Sequence, residues 1–94
     1  MEISVKAIKF DATDKLNEFI QKKVGKLAKF SSDIQAIEVI LKVEKPATAL
    51  NKQAAIRISM PGKDLYVEKT ADTFEEAIEQ AIPASEKQLE REGR

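Results

Sequence analysis

Ninety-four residues make one small domain whose modest core leaves little room for a buried active site. Sixteen basic and sixteen acidic side chains cancel, and the lack of Cys and His excludes disulfides, thiolate metal sites and the commonest general base. Catalysis would rest on carboxylates, Lys or Tyr66 alone, so neither an enzyme, nor a cofactor, nor a small-molecule substrate is expected.

The N-terminal run MEISVKAIKF is broken by Glu2, Lys6 and Lys9, so it lacks the apolar stretch of a signal peptide. No run is long enough to span a membrane, and a cytoplasmic location without a membrane partner is expected. Ile3, Val5 and Ala7 alternate with Glu2, Ser4 and Lys6, which predicts a half-buried first strand. Thr13 is placed to N-cap a helix with Asp14 at its positive end. Leu16, Phe19, Ile20, Val24 and Leu27 then recur at helical spacing, extending that helix to about Phe30. Ile37, Val39, Leu41 and Val43 form the clearest strand, followed by a polar loop with Pro46 and Asn51. Ala54, Ile56, Ile58 and Met60 give a third strand, Pro61-Gly62 a tight turn, and Leu65 and Val67 a fourth strand paired as a hairpin. Thr73 and Glu76 stand at capping-box spacing and open a second helix through Phe74, Ala77, Ile78, Ala81 and Ile82.

The order β-α-β-β-β-α predicts an α+β domain: one four-stranded mixed sheet with two helices packed on one face. The first two strands, which flank a helix, are expected to be parallel with a right-handed crossover. Pro83 lacks the N–H that would bond the carbonyl of Glu79, so the second helix is expected to kink or end near Ile82. Residues 86–94 are then expected to form a separate short helix or a frayed tail, leaving the last part of the single domain 1–94, from about 83 on, kinked or frayed.

Charge is unevenly spread. Residues 1–69 carry 13 basic and 9 acidic side chains, whereas residues 70–94 carry 3 and 7. Within the first helix Lys22, Lys23, Lys26 and Lys29 occur with no acid between them, and Lys22 faces Lys26 as Lys26 faces Lys29. Like charges at these spacings cost a few tenths of a kcal/mol, about what opposite charges contribute. Such a stripe suits a polyanion such as RNA. Cations in a last turn also complement the helix dipole, which accounts for Lys26 and Lys29 better than for Lys22, while Lys23 falls inside the apolar arc and can snorkel out of it.

IEVILKVEK at 37–45, PGKDLYVEKTAD at 61–72 and the FEEAIEQAI helix, in this order of elements, resemble the short ribosome hibernation factors of the ribosome-associated inhibitor and sigma factor modulation family. The resemblance covers nearly the whole chain. It implies a monomer off the ribosome that occupies the mRNA and tRNA path of the small ribosomal subunit through rRNA contacts and silences it without a reaction. The family's rRNA-binding positions are matched by Lys23, Lys26 and Lys29, joined by Lys22, and on the second helix by Lys87 and Arg91. A third basic position of that helix is Ala84 here, and Pro83, Ala84 and Ser85 replace an Asp-Lys-Leu run. The dimerisation domain and flexible tail of other members have no counterpart before Arg94, so pairing of ribosomes would need another factor.

Two other readings compete. The acidic last quarter suits a protein-interaction module without RNA binding, and the lysines alone suit a generic binder of double-stranded RNA. Glu75 and Glu79 as an acid/base pair lack a nucleophile, His or Gly-rich loop beside them, and read better as capping and solvated residues. Tyr66 and Phe30 are read as packing residues rather than base-stacking ones.

Overall fold

The computed structural model describes residues 1–44 and 49–92; Pro46 of the expected polar loop lies outside them. The elements are β1 (Glu2–Ala7), α1 (Asp14–Gly25) with a 3-10 turn (Lys26–Phe30), β2 (Ala36–Val43), β3 (Lys52–Met60), β4 (Lys63–Ala71) and α2 (Phe74–Glu92). This is the expected β-α-β-β-β-α order. The strands form one mixed sheet in the order β1-β2-β3-β4, with β1 and β2 parallel and the other pairs antiparallel.

Register explains why the sheet has one apolar face. Ile3, Ile37, Ile58 and Leu65 lie in one row across the strands, and Val5, Val39, Ile56 and Val67 in another. Because side chains alternate with period two, these rows point the same way. Leu16, Ile20, Val24 and Leu27 of the first helical segment and Ala77, Ile78, Ala81 and Leu89 of α2 are buried against them. The β3–β4 hairpin closes through Pro61-Gly62, where Gly62 takes φ 80°. That conformation suits the third residue of a type II turn after a proline.

The crossover through α1 is left-handed, opposite to the expected hand. The Ile8 N–H donates to Leu41 O (2.9 Å), so the even-numbered residues of β1 turn their backbone groups towards β2. The Glu44 N–H donates to Asn51 O (2.7 Å), so the even residues of β2 serve β3 and its odd ones serve β1. On both strands the odd side chains, Ile3, Val5, Ile37 and Val39, face the helices. For an L-residue in an upward strand with its side chain towards the viewer, N–H and C=O point right. Seen from the helices, β2 therefore lies to the left of β1. The right-handed rule comes from a twisted strand feeding its helix. Here the chain leaves β1 through Lys9 at φ 65°, in the left-handed region, which redirects it before it enters α1.

A second correction concerns α2, which runs without interruption to Glu92 although Pro83 lies inside it. At about 100° per residue, Pro83 falls diametrically opposite the buried arc of Ala77, Ile78, Ala81, Ser85 and Leu89. Pro83 and Glu79 are exposed, so the carbonyl that loses its N–H partner faces solvent, where water can satisfy it. Ser85, in place of an apolar residue, is fully buried, and its hydroxyl donates to the Ala81 carbonyl (2.9 Å), so no polar atom is stranded there. Leu89, fully buried beyond the proline, anchors the last turns.

Leu89→Ala is expected to destabilise the domain by about 2–5 kcal/mol in chemical denaturation, as for a core leucine. A loss below about 0.5 kcal/mol, typical of surface sites, would mean that the helix does not pack past Pro83.

Candidate nucleic-acid interface

Both helices are set by caps that the sequence encodes. The Leu16 N–H donates to Thr13 Oγ1 (3.1 Å), and the Glu76 N–H donates to Thr73 Oγ1 (3.0 Å), whose hydroxyl donates to Glu76 Oε1 (3.1 Å). Phe10, just before α1, stacks on Phe74 at the start of α2, with ring centroids 5.2 Å apart. Both helices start beside this stacked pair.

Two side-chain bonds fix how each helix is rolled. On α1, Gln21 Nε2 donates to the Ile3 carbonyl (3.3 Å) and Gly25 lies beside the Ile3 side chain, so this flank overlooks the outer edge of β1. The opposite flank, with Phe19 and Lys23, faces α2. On α2, Gln88 Nε2 donates to the Tyr66 carbonyl (3.3 Å), which puts the Gln88 flank over the outer edge of β4. The opposite flank, with Ile82 and Glu86, faces α1, against which α2 packs.

The lysines follow from this roll. Lys22 is exposed on the crest of α1, leaning towards α2. The helix tightens to 3-10 geometry at Lys26, where the sequence pattern predicts continued α-helix. Side chains three apart eclipse one another in a 3-10 turn, so Lys26 and Lys29, both exposed, line up instead of diverging. Lys23 is half-buried, its ammonium 5.7 Å from the centroid of the Phe19 ring, a cation–π placement in keeping with its position in the apolar arc. Among the described residues none of these four lysines lies within 4 Å of a carboxylate; the ion pairs are Arg57–Glu38 (3.3 Å) and Lys63–Glu92 (2.6 Å).

Lys87 and Arg91 do not join this row. Both are exposed, one turn apart, but they lie on the Gln88 side of the α2 crest, above the edge of β4. Between them and the α1 lysines stand Pro83 and the acids of the flank that faces α1. Glu75, Glu79, Glu86 and Glu90 share that flank, and Glu86 is half-buried on it. In the sequence these acids are visible only as part of the acidic last quarter; the direction they face depends on the roll of α2, which the Gln88 bond to β4 sets.

Tyr66 and Phe30, read as packing residues, are both exposed. Tyr66 stands on the sheet face away from the helices, in register with Arg57, whose guanidinium lies 5.9 Å from its ring centroid. Its hydroxyl donates to Glu68 (3.0 Å), and desolvation at the sheet surface, then the bond and charge of Glu68, raise its pKa above the ordinary value. No cluster of three metal-binding side chains occurs among the described residues, and none of the described helices is long and apolar enough to cross a membrane.

The family model for sigma 54 modulation protein / S30EA ribosomal protein matches residues 3–94. The chain belongs to this family. It is 27% identical over 99 residues to a ribosome hibernation promoting factor of Azotobacter vinelandii, covering 98% of this chain and 90% of that protein. The fold matches the N-terminal domain of Thermus thermophilus Protein Y with a TM-score of 0.80 at 24% identity, over 97% of this chain and 98% of that one. It also matches a ribosomal subunit interface protein from Coxiella burnetii with a TM-score of 0.83 at 21% identity, over 99% and 98%. The family is not catalytic, and this member is not an enzyme.

Because the exposed lysines make no ion pair, Lys26→Gln with Lys29→Gln is expected to shift unfolding free energy by no more than about 0.5 kcal/mol. A larger loss in chemical denaturation would assign the pair to the helix dipole and the fold.

Proposed function

We propose that this chain binds the small ribosomal subunit through rRNA contacts from Lys22, Lys23, Lys26 and Lys29, occupies the mRNA and tRNA path, and thereby silences translation in the cytoplasm. The observation that carries the reading is the aligned, unpaired cationic row on α1 in a member of a family whose named relatives are ribosome hibernation and subunit interface proteins. Phosphate contacts position the domain, and its bulk excludes the other ligands. Shape and charge suffice for this, because A-form RNA presents phosphates and 2′-hydroxyls more readily than base edges. Lys87 and Arg91 act as a second point of contact on the far side of α2, so the rRNA they meet is a different segment from the one on α1. The domain 1–94 serves as one binding unit in this reading.

The acidic flank of α2 supports the competing reading, a module for a basic protein partner, and charge reversal separates the two. Co-sedimentation with vacant ribosomes is expected to fall with rising salt, and with mRNA and initiator tRNA present. Each phosphate contact contributes a slope of about −0.7 to −0.9 in log K against log salt. Lys26→Glu with Lys29→Glu is expected to abolish binding. Binding that survives the reversal, or no binding by the unaltered protein at low salt, contradicts the proposal.

A further inference from the structure

The acids of α2 face the lysines of α1 across the groove between the helices, yet none of them forms an ion pair with those lysines among the described residues. Helices packed side by side lie about 8–10 Å apart axis to axis. That spacing is comparable to one Debye length at moderate salt, about 10 Å at 0.1 M. At that range the carboxylates act on the row through their field rather than by contact.

We propose that Glu79 and Glu86 form an internal counter-charge that confines polyanion contact to the crest of α1 and separates it from the Lys87 and Arg91 ridge. This deepens the rRNA reading and rests on it for its biological use, but not for its electrostatics. A phosphate strand laid flat across both helices would meet Glu79, Glu86 and Glu90 midway, whereas one following α1 meets Lys22, Lys26 and Lys29 in succession. The half-buried position of Glu86 makes it the more effective of the pair, because a charge partly withdrawn from water is less screened. The device costs affinity and adds selectivity: a generic duplex that could lie across a two-helix cationic platform is repelled, and two spaced RNA segments are accepted. A pair of unit charges about 10 Å apart in water alters binding by about twofold.

The test compares two variants of identical net charge. Glu79→Gln with Glu86→Gln removes the counter-charge, and Glu2→Gln with Asp64→Asn removes two exposed acids from one row of the opposite sheet face. Circular dichroism melts confirm that both are folded. Elution from heparin, a generic polyanion, and dissociation constants for a short A-form RNA hairpin are then measured at low and moderate salt. The groove variant is expected to elute later than the sheet variant and to bind the hairpin at least about threefold more tightly at low salt, an advantage that shrinks as salt rises. Equal behaviour of the two variants reduces the effect to net charge and overturns the inference, as does weaker binding by the groove variant. Both probes work without ribosomes. If the groove effect is present while the unaltered protein ignores the small subunit, the counter-charge stands and the rRNA reading falls.

Discussion

The single apolar face of the sheet is the constraint on which everything else depends. Rows such as Ile3-Ile37-Ile58-Leu65 and Val5-Val39-Ile56-Val67 must leave water together, and two helices cover them. Once Ile20, Val24 and Leu27 are pressed to that surface on one side and Ile78, Ala81 and Leu89 on the other, neither helix can roll. The directions of the charged side chains follow from the burial of the apolar ones. The lysine row is exposed because its own helix needs the opposite arc for the core. The acids of α2 face it for the same reason.

This coupling also explains how the chain tolerates residues that break local rules. Pro83 is accepted in α2 because it stands farthest from the sheet, where the unpaired Glu79 carbonyl reaches water. Ser85 is accepted in the core because a neighbouring backbone carbonyl takes its proton. The left-handed crossover places α1 over the outer edge of β1, where Gln21 finds the Ile3 carbonyl that no strand uses. Each departure from a statistical preference is met by a specific partner or by solvent.

Most of the fold was legible from periodicity. Alternation in Ile37-Val39-Leu41 and the Thr13 and Thr73 caps placed the strands and helices, because these signals arise within a few residues of one another. Where tertiary context decides, the sequence was silent or misleading. Pro83 reads as a stop until its angular position relative to Leu89 is considered together with the sheet. The hand of the crossover depends on which edge of β1 receives β2, and no local pattern records that. Of the candidate site, Lys22, Lys26 and Lys29 are legible as a stripe and Lys23 as a lysine inside the apolar arc. Their alignment through the 3-10 turn, the isolation of Lys87 and Arg91, and the intervening acids are not, since each depends on how the helices are rolled. The exposure of Tyr66 and Phe30 is likewise not legible, because scarcity of aromatics says nothing about which face they occupy.

The most direct test uses the absence of cysteine from the chain. A single thiol introduced at exposed Ala28, beside the lysine row, or at exposed Thr70, in β4, can carry a hydroxyl-radical probe. With vacant small subunits, the Ala28→Cys probe is expected to cut rRNA lining the mRNA and tRNA path, and the Thr70→Cys probe to leave those positions intact. Cleavage of that path from Thr70→Cys alone, or from neither position while the protein remains bound, would contradict an interface built on α1.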